Sequence, residues 1–161
     1  MYFLNSKSPT VNLHQRGVSL LEILVTLIVL SIGLLGLAAL QIKSERVAHN
    51  AALRYLAVVN AYDMVDRMRA NRSGVNAGAY NNISGIGSDP GCISTGCTAS
   101  QMATTDKYQW NTNLASQLPS GAGTVSGTGA NSIFTITVTW NEIGPGASVA
   151  TQKSFVLKVQ L

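Results

Sequence analysis

The stretch over residues 18–42 limits what this chain can become. Its only strongly polar side chains are Glu22 and Gln41, with Ser19, Thr26 and Ser31 as mild interruptions. About 20 apolar residues suffice to cross the hydrocarbon core of a bilayer, and this run reaches that length. The segment before it, residues 1–17, is polar, carries Lys7, His14 and Arg16, and holds no acid. Basic leaders stay on the cytoplasmic side, so whatever follows Ile42 is translocated.

Three readings of this segment compete. A secretory signal peptide would be cut after small residues near Ala38 or Ala39, but the stretch exceeds the roughly 7–15 residues of a usual signal core. A plain signal anchor would tolerate Glu22 near the interface, below the ~2.5–3.5 kcal/mol assigned to an acid at the bilayer centre. In the third reading, cleavage after Gly17 exposes an ammonium on Val18, four residues before Glu22. Glu22 of an incoming subunit then pairs with the Val18 amine of one already assembled, relieving two buried charges. Only this reading gives the leader, the glycine, the acid and the apolar run a role each.

Downstream, no proline occurs between Pro9 and Pro90 and no glycine between Gly36 and Gly74. One helix is predicted over residues 19–72, about 80 Å at ~1.5 Å per residue. Gly33 and Gly36 are its weak point, each costing about 1 kcal/mol relative to Ala. Bending or partial melting there competes with close helix packing. Past Lys43, Ala48, Ala51, Tyr55, Val58, Tyr62, Val65 and Met68 recur at helical steps and predict a stripe against a core, with Arg46, Arg54 and Asn60 turned elsewhere. Asp63 and Arg67 are spaced for an i,i+4 pair. Arg67, Arg69 and Arg72 suit a helix C-terminus, and Gly74 suits its cap.

Residues 73–100 are rich in Gly, Ser and Asn and read as a long loop. Next, "TTDKYQWNTNLASQLP" reads as a short helix with Thr105 as N-cap, Trp110, Leu114 and Leu118 as its buried face, and Pro119 as its stop. Trp110 on such a face is more simply core than a stacking platform for a ligand. "SIFTITVTWNEI" places Phe134, Ile136, Val138 and Trp140 on one face, and "SFVLKVQL" alternates again through Phe155, Leu157, Val159 and Leu161. With "GPGAS" between them, they predict an antiparallel hairpin, preceded by a short strand near residues 124–126. The stripe on the long helix would cover its apolar face.

Of eleven Lys and Arg, Lys7 and Arg16 precede the apolar run, leaving nine against seven acids. That balance, with no basic tract, excludes the electrostatic footprint of a nucleic-acid binder. Cys92 and Cys97 are the only cysteines. A structural zinc site takes four N/S ligands, and His14 and His49 lie far off in sequence. A redox pair favours two intervening residues, whereas here there are four. A short structural disulfide, stapling the 73–100 loop in an oxidising compartment, is the better reading.

"RGVSLLEILVTLIVLSIGLLGLAALQ" resembles the class III signal of type IV pilins and pseudopilins. The resemblance implies an α+β pilin-like fold, a long N-terminal helix with a membrane-spanning first half, packed on a small antiparallel sheet. It implies that a prepilin peptidase cuts between Gly17 and Val18 and methylates Val18, and that Glu22 is needed for assembly. Val18 stands where the family usually has Phe. The expected organisation is a leader over residues 1–17, a membrane and assembly segment over 18–42, and a periplasmic domain over 43–161. Further along, "DMVDRMRANR", the cysteine pair, "TDKYQWNTNLASQLPSGAG" and "ITVTWNE" are similar to the PilV group of minor pilins. That likeness implies a scarce inner-membrane subunit that joins a pilus or its tip complex, with a role in adhesion or motility. Its partners would be other minor pilins, the major pilin, the inner-membrane assembly platform and a tip adhesin.

Two relatives of this reading share most of its features: a pseudopilin of type II secretion, and a membrane-tethered binding module using the 73–100 loop. Catalysis is not expected. No G-x-S-x-G, H-E-x-x-H or phosphate loop occurs, no two acids lie near a histidine, and after cleavage only His49 could act as an imidazole base. No cofactor or metal is expected either.

Overall fold

A computed structural model of the chain describes residues 17–129 and 131–161. The expected leader, apart from Gly17, lies outside the described residues. The chain forms two compact units, Met1–Leu40 and Gln41–Leu161. One helix, α1 (Leu20–Ala70), contributes to both. It runs unbroken through Gly33 and Gly36, with no melted turn there.

In the second unit, α1 is followed by α2 (Arg72–Asn76), β1 (Asn82–Ile83), α3 (Cys92–Thr95), α4 (Ala99–Gln117), β2 (Ala122–Ser126), β3 (Ile133–Ile143) and β4 (Ala150–Gln160). The strands form one antiparallel sheet in the order β1-β2-β3-β4. The predicted hairpin is β3–β4, and the predicted short strand is β2. Phe134, Ile136, Val138 and Trp140 are buried as their alternation requires. They share one core with Trp110, Leu114 and Leu118 and with the inner face of α1. The architecture is thus a long, N-terminally apolar helix packed on a small four-stranded antiparallel sheet.

Several local expectations need correcting. The buried α1 residues are Leu53, Ala57, Asn60, Ala61, Met64, Val65 and Met68. Only Val65 and Met68 of the expected stripe are among them. Tyr55 and Tyr62 are 69% and 52% exposed. Facing inward, each tyrosine hydroxyl would need a buried partner. Leu53, Ala57, Ala61, Met64 and Met68 instead make an equally regular i,i+3/i+4 row with no polar atoms to satisfy. Asn60 is buried because its groups are engaged: Nδ2 donates to the Leu56 carbonyl and Gln117 Oε1, and its own carbonyl accepts from Trp110 Nε1 at 2.8 Å.

Gly74 is not a cap. It lies buried inside α2, whose N-cap Asn71 accepts from the Gly74 N–H. A Cβ there would sit 2.6 Å from Asn71 Nδ2, so the close approach requires glycine. The segment read as one loop over 73–100 contains α2, β1 and α3. Helix α4 also starts earlier than expected. Its N-cap is Thr98, which forms a capping box with Gln101, whereas Thr105 is buried within the helix. Gly123 of β2 lies against Trp110, where an added Cβ would meet the indole ring at 2.3 Å.

Candidate functional site

Gly17, Val18 and Ser19 precede α1 without regular structure, and the helix begins at Leu20. Ser19 closes its first turn: its carbonyl accepts from the amides of Glu22 and Ile23, and its Oγ accepts from the Leu21 amide at 3.3 Å. Glu22 therefore occupies the first helical turn, where a carboxylate meets the positive end of the helix dipole. From Val18 to Ile42 the large apolar side chains are all exposed. Besides Ser19, the run holds two hydroxyls turned onto the backbone, Thr26 Oγ1 donating to the Ile23 carbonyl and Ser31 Oγ to that of Leu27. In hydrocarbon a polar group has no water to turn to, and these two are already satisfied inside the helix. Among the described residues α1 is the one helix long and apolar enough to cross a membrane.

The Gln41–Leu161 unit is held by two ionic clusters. Arg54 reaches across to the sheet and grips Glu142 with two hydrogen bonds of 3.0 and 2.9 Å, while Trp140 Nε1 donates to the same carboxylate. The Glu142 side chain is only 3% exposed. The Arg54 hydrogen bonds hold its pKa below the ordinary glutamate value, against the opposing pull of burial. In the second cluster Arg67 joins Asp63, as the spacing predicted, and also Asp106 and Gln109 of α4. Asp106 in turn accepts from the Tyr80 hydroxyl, which accepts from Asn71 Nδ2. Burial, and then that bond to Asp106, push the Tyr80 hydroxyl well above its usual pKa. Arg67 is thus a tie between helices rather than a simple terminal cation.

Nothing local in the sequence signals the rest of this second cluster, because its hydrogen-bonded members lie up to 42 residues apart. Glu142 carried a signal. It continues the inward phase of Phe134, Ile136, Val138 and Trp140, and an acid in that phase requires a cation to meet it.

Cys92 and Cys97 are joined by a disulfide that encloses α3. His49 lies in a groove of about 470 Å³ with Glu45, Arg46, Asn50, Leu53 and Ile143. Nothing there pairs an imidazole with a nucleophile. Among the described residues no group of three or more His, Cys, Asp or Glu side chains could hold a metal ion.

Residues 12–38, which span the Gly17–Val18 bond, Glu22 and most of the apolar run, match the family model of the prokaryotic N-terminal methylation motif. Residues 39–108 match the family model described as type IV pilin Tt1218. The chain thus carries a match to a prepilin methylation motif followed directly by a match to a type IV pilin domain model. No curated protein and no solved structure matches it. The motif implies processing by a prepilin peptidase and assembly with other pilins, and the exposed apolar segment implies membrane anchoring. The type IV pilin family that this model describes is a structural one.

Proposed function

We propose that this chain is a minor pilin of the PilV group. It waits in the inner membrane with residues 43–161 in the periplasm and enters a pilus or its tip complex through residues 18–42. Residues 1–17 are the leader, removed by cleavage after Gly17, and Val18 is the methylated N-terminus. Glu22 is the assembly group. The observation that carries the proposal is the position of this acid, in the first turn of an exposed apolar helix three residues past an irregular Gly17–Val18–Ser19 entry. Cleavage there would put an ammonium beside the positive end of the helix dipole, so two positive features would seek one carboxylate. Glu22 of the next subunit answers both, and pairing relieves its own burial in lipid. The blocks "DMVDRMRANR" and "ITVTWNE" favour a minor pilin of this group over a pseudopilin.

The test is mass spectrometry of the purified mature product together with two variants. The wild type should begin at methylated Val18. Gly17→Ala should stay uncut, running larger by the leader. Glu22→Ala should be cut and membrane-held yet scarce in sheared fibres. A mature product starting elsewhere, or fibre incorporation of Glu22→Ala equal to wild type, overturns the proposal.

A further inference from the structure

Strand β4 is the last strand of the sheet, and all eleven of its residues pair with β3. Among the described residues no strand lies on its far side, whereas the opposite edge, β1, is only two residues long. An open edge presents a row of unpaired N–H and C=O groups, which proteins commonly blunt with bulges, prolines or charge. The β3–β4 register runs without offset from Ile133↔Gln160 to Ile143↔Ala150, so no bulge interrupts it, and β4 contains no proline. Its only charges are Lys153 and Lys158.

The core is incomplete along the same edge. Phe134, Ile136 and Val138 of β3 are fully buried, but their cross-strand partners Val159, Leu157 and Phe155 are only half-buried. Beside Phe155 a cleft of about 240 Å³ opens, lined by Arg54, Val58, Trp140, Lys153 and Ser154. Two cations line it, and the carboxylate beside them, Glu142, is already engaged by Arg54.

We propose that the β4 edge docks an extended segment of a partner protein, which adds a fifth strand to the sheet. Backbone pairing supplies the affinity, and alternate side chains supply the specificity. One face of the incoming strand carries apolar residues that complete the cover over Phe155 and Leu157. Its carboxylates meet Lys153 and Lys158. Lys153 shares the core face with Phe155 and Leu157, and Lys158 shares the outer face with Ser154 and Val156. Side chains alternate along a strand, so the matching carboxylates lie an odd number of residues apart. A second copy of β4 is a poor occupant, because it would set two lysines from each copy along one ribbon with no carboxylate between them. This docking edge is independent of the pilin reading and stands or falls by its own test.

The test uses the full chain in detergent micelles and a synthetic peptide of β4's length, alternating valine and threonine with two glutamates five positions apart. A control peptide carries lysines in their place. Hydrogen exchange across residues 150–160 should slow with the glutamate peptide, whose affinity should exceed that of the lysine peptide by about tenfold. Exchange in β1 should not change. Lys158→Glu, an exposed position on the outer face, should shrink or reverse that preference. Unchanged β4 exchange, equal protection by both peptides, or a preference untouched by Lys158→Glu would overturn the proposal. So would protection that appears without peptide as protein concentration rises, which would mark a second copy as the occupant.

Discussion

Glu142 shows how a single acid can be placed by strand parity and then stabilised by its partner. It faces the core, Arg54 binds both its oxygens, and its pKa is lowered in consequence. A carboxyl group with a depressed folded pKa contributes stability that is fully present above its unfolded pKa, about 4.3, and lost as pH falls through the folded value. Glu142→Gln keeps the shape but not the charge. Its melting temperature should therefore fall below wild type at neutral pH, and the gap should close as pH drops below about 4. A gap independent of pH would mean that packing, not charge, holds the residue. Other details were legible in the residues themselves. The acid in the first turn of the apolar helix and the i,i+4 spacing of Asp63 and Arg67 needed nothing beyond local periodicity. Asn60 was not legible, because the groups that satisfy it come from Gln117 and Trp110, more than 49 residues away.

The strands were easier to read than the helix ends. An alternation of Phe134, Ile136, Val138 and Trp140 against threonines fixes both strand and face, since a shift of one residue would expose every apolar side chain. The buried row on α1 differs in phase from the expected stripe because alanine and tyrosine both count as apolar, and only the core decides which row it can accept. Helix α4 was started too late for a different reason. Thr98 lies in a Ser/Thr-rich stretch where several residues could cap, and Gln101 three positions on was the overlooked signal. Thr98→Ala should cost about 1 kcal/mol, seen as a drop of about 4 °C in melting temperature. An unchanged melting temperature would show that Gln101 and water replace the hydroxyl. Upstream of this cap the disulfide closes a small ring, so Cys92→Ser should remove no more than about 2 kcal/mol and leave the domain folded. Global unfolding of that variant at 25 °C would contradict this.

Among the described residues, every buried hydrophobic side chain lies at Leu53 or beyond. The buried core of the Gln41–Leu161 unit therefore begins at Leu53. A fragment starting at Gln41 should remain in solution without detergent and melt cooperatively, with the disulfide formed, as checked by calorimetry and thiol titration. Aggregation or a broad, non-cooperative melt would show that the apolar segment is needed for folding. The two stretches of α1 therefore answer to different solvents. In the proposed function one answers to lipid and to other subunits, the other to its own core, though α1 is unbroken. Changes among the first turns of α1 leave heat tolerance and solubility of the distal body intact, so a laboratory screen for misfolded variants would pass them as healthy. In the proposed function, their defect would surface only when copies are asked to stack.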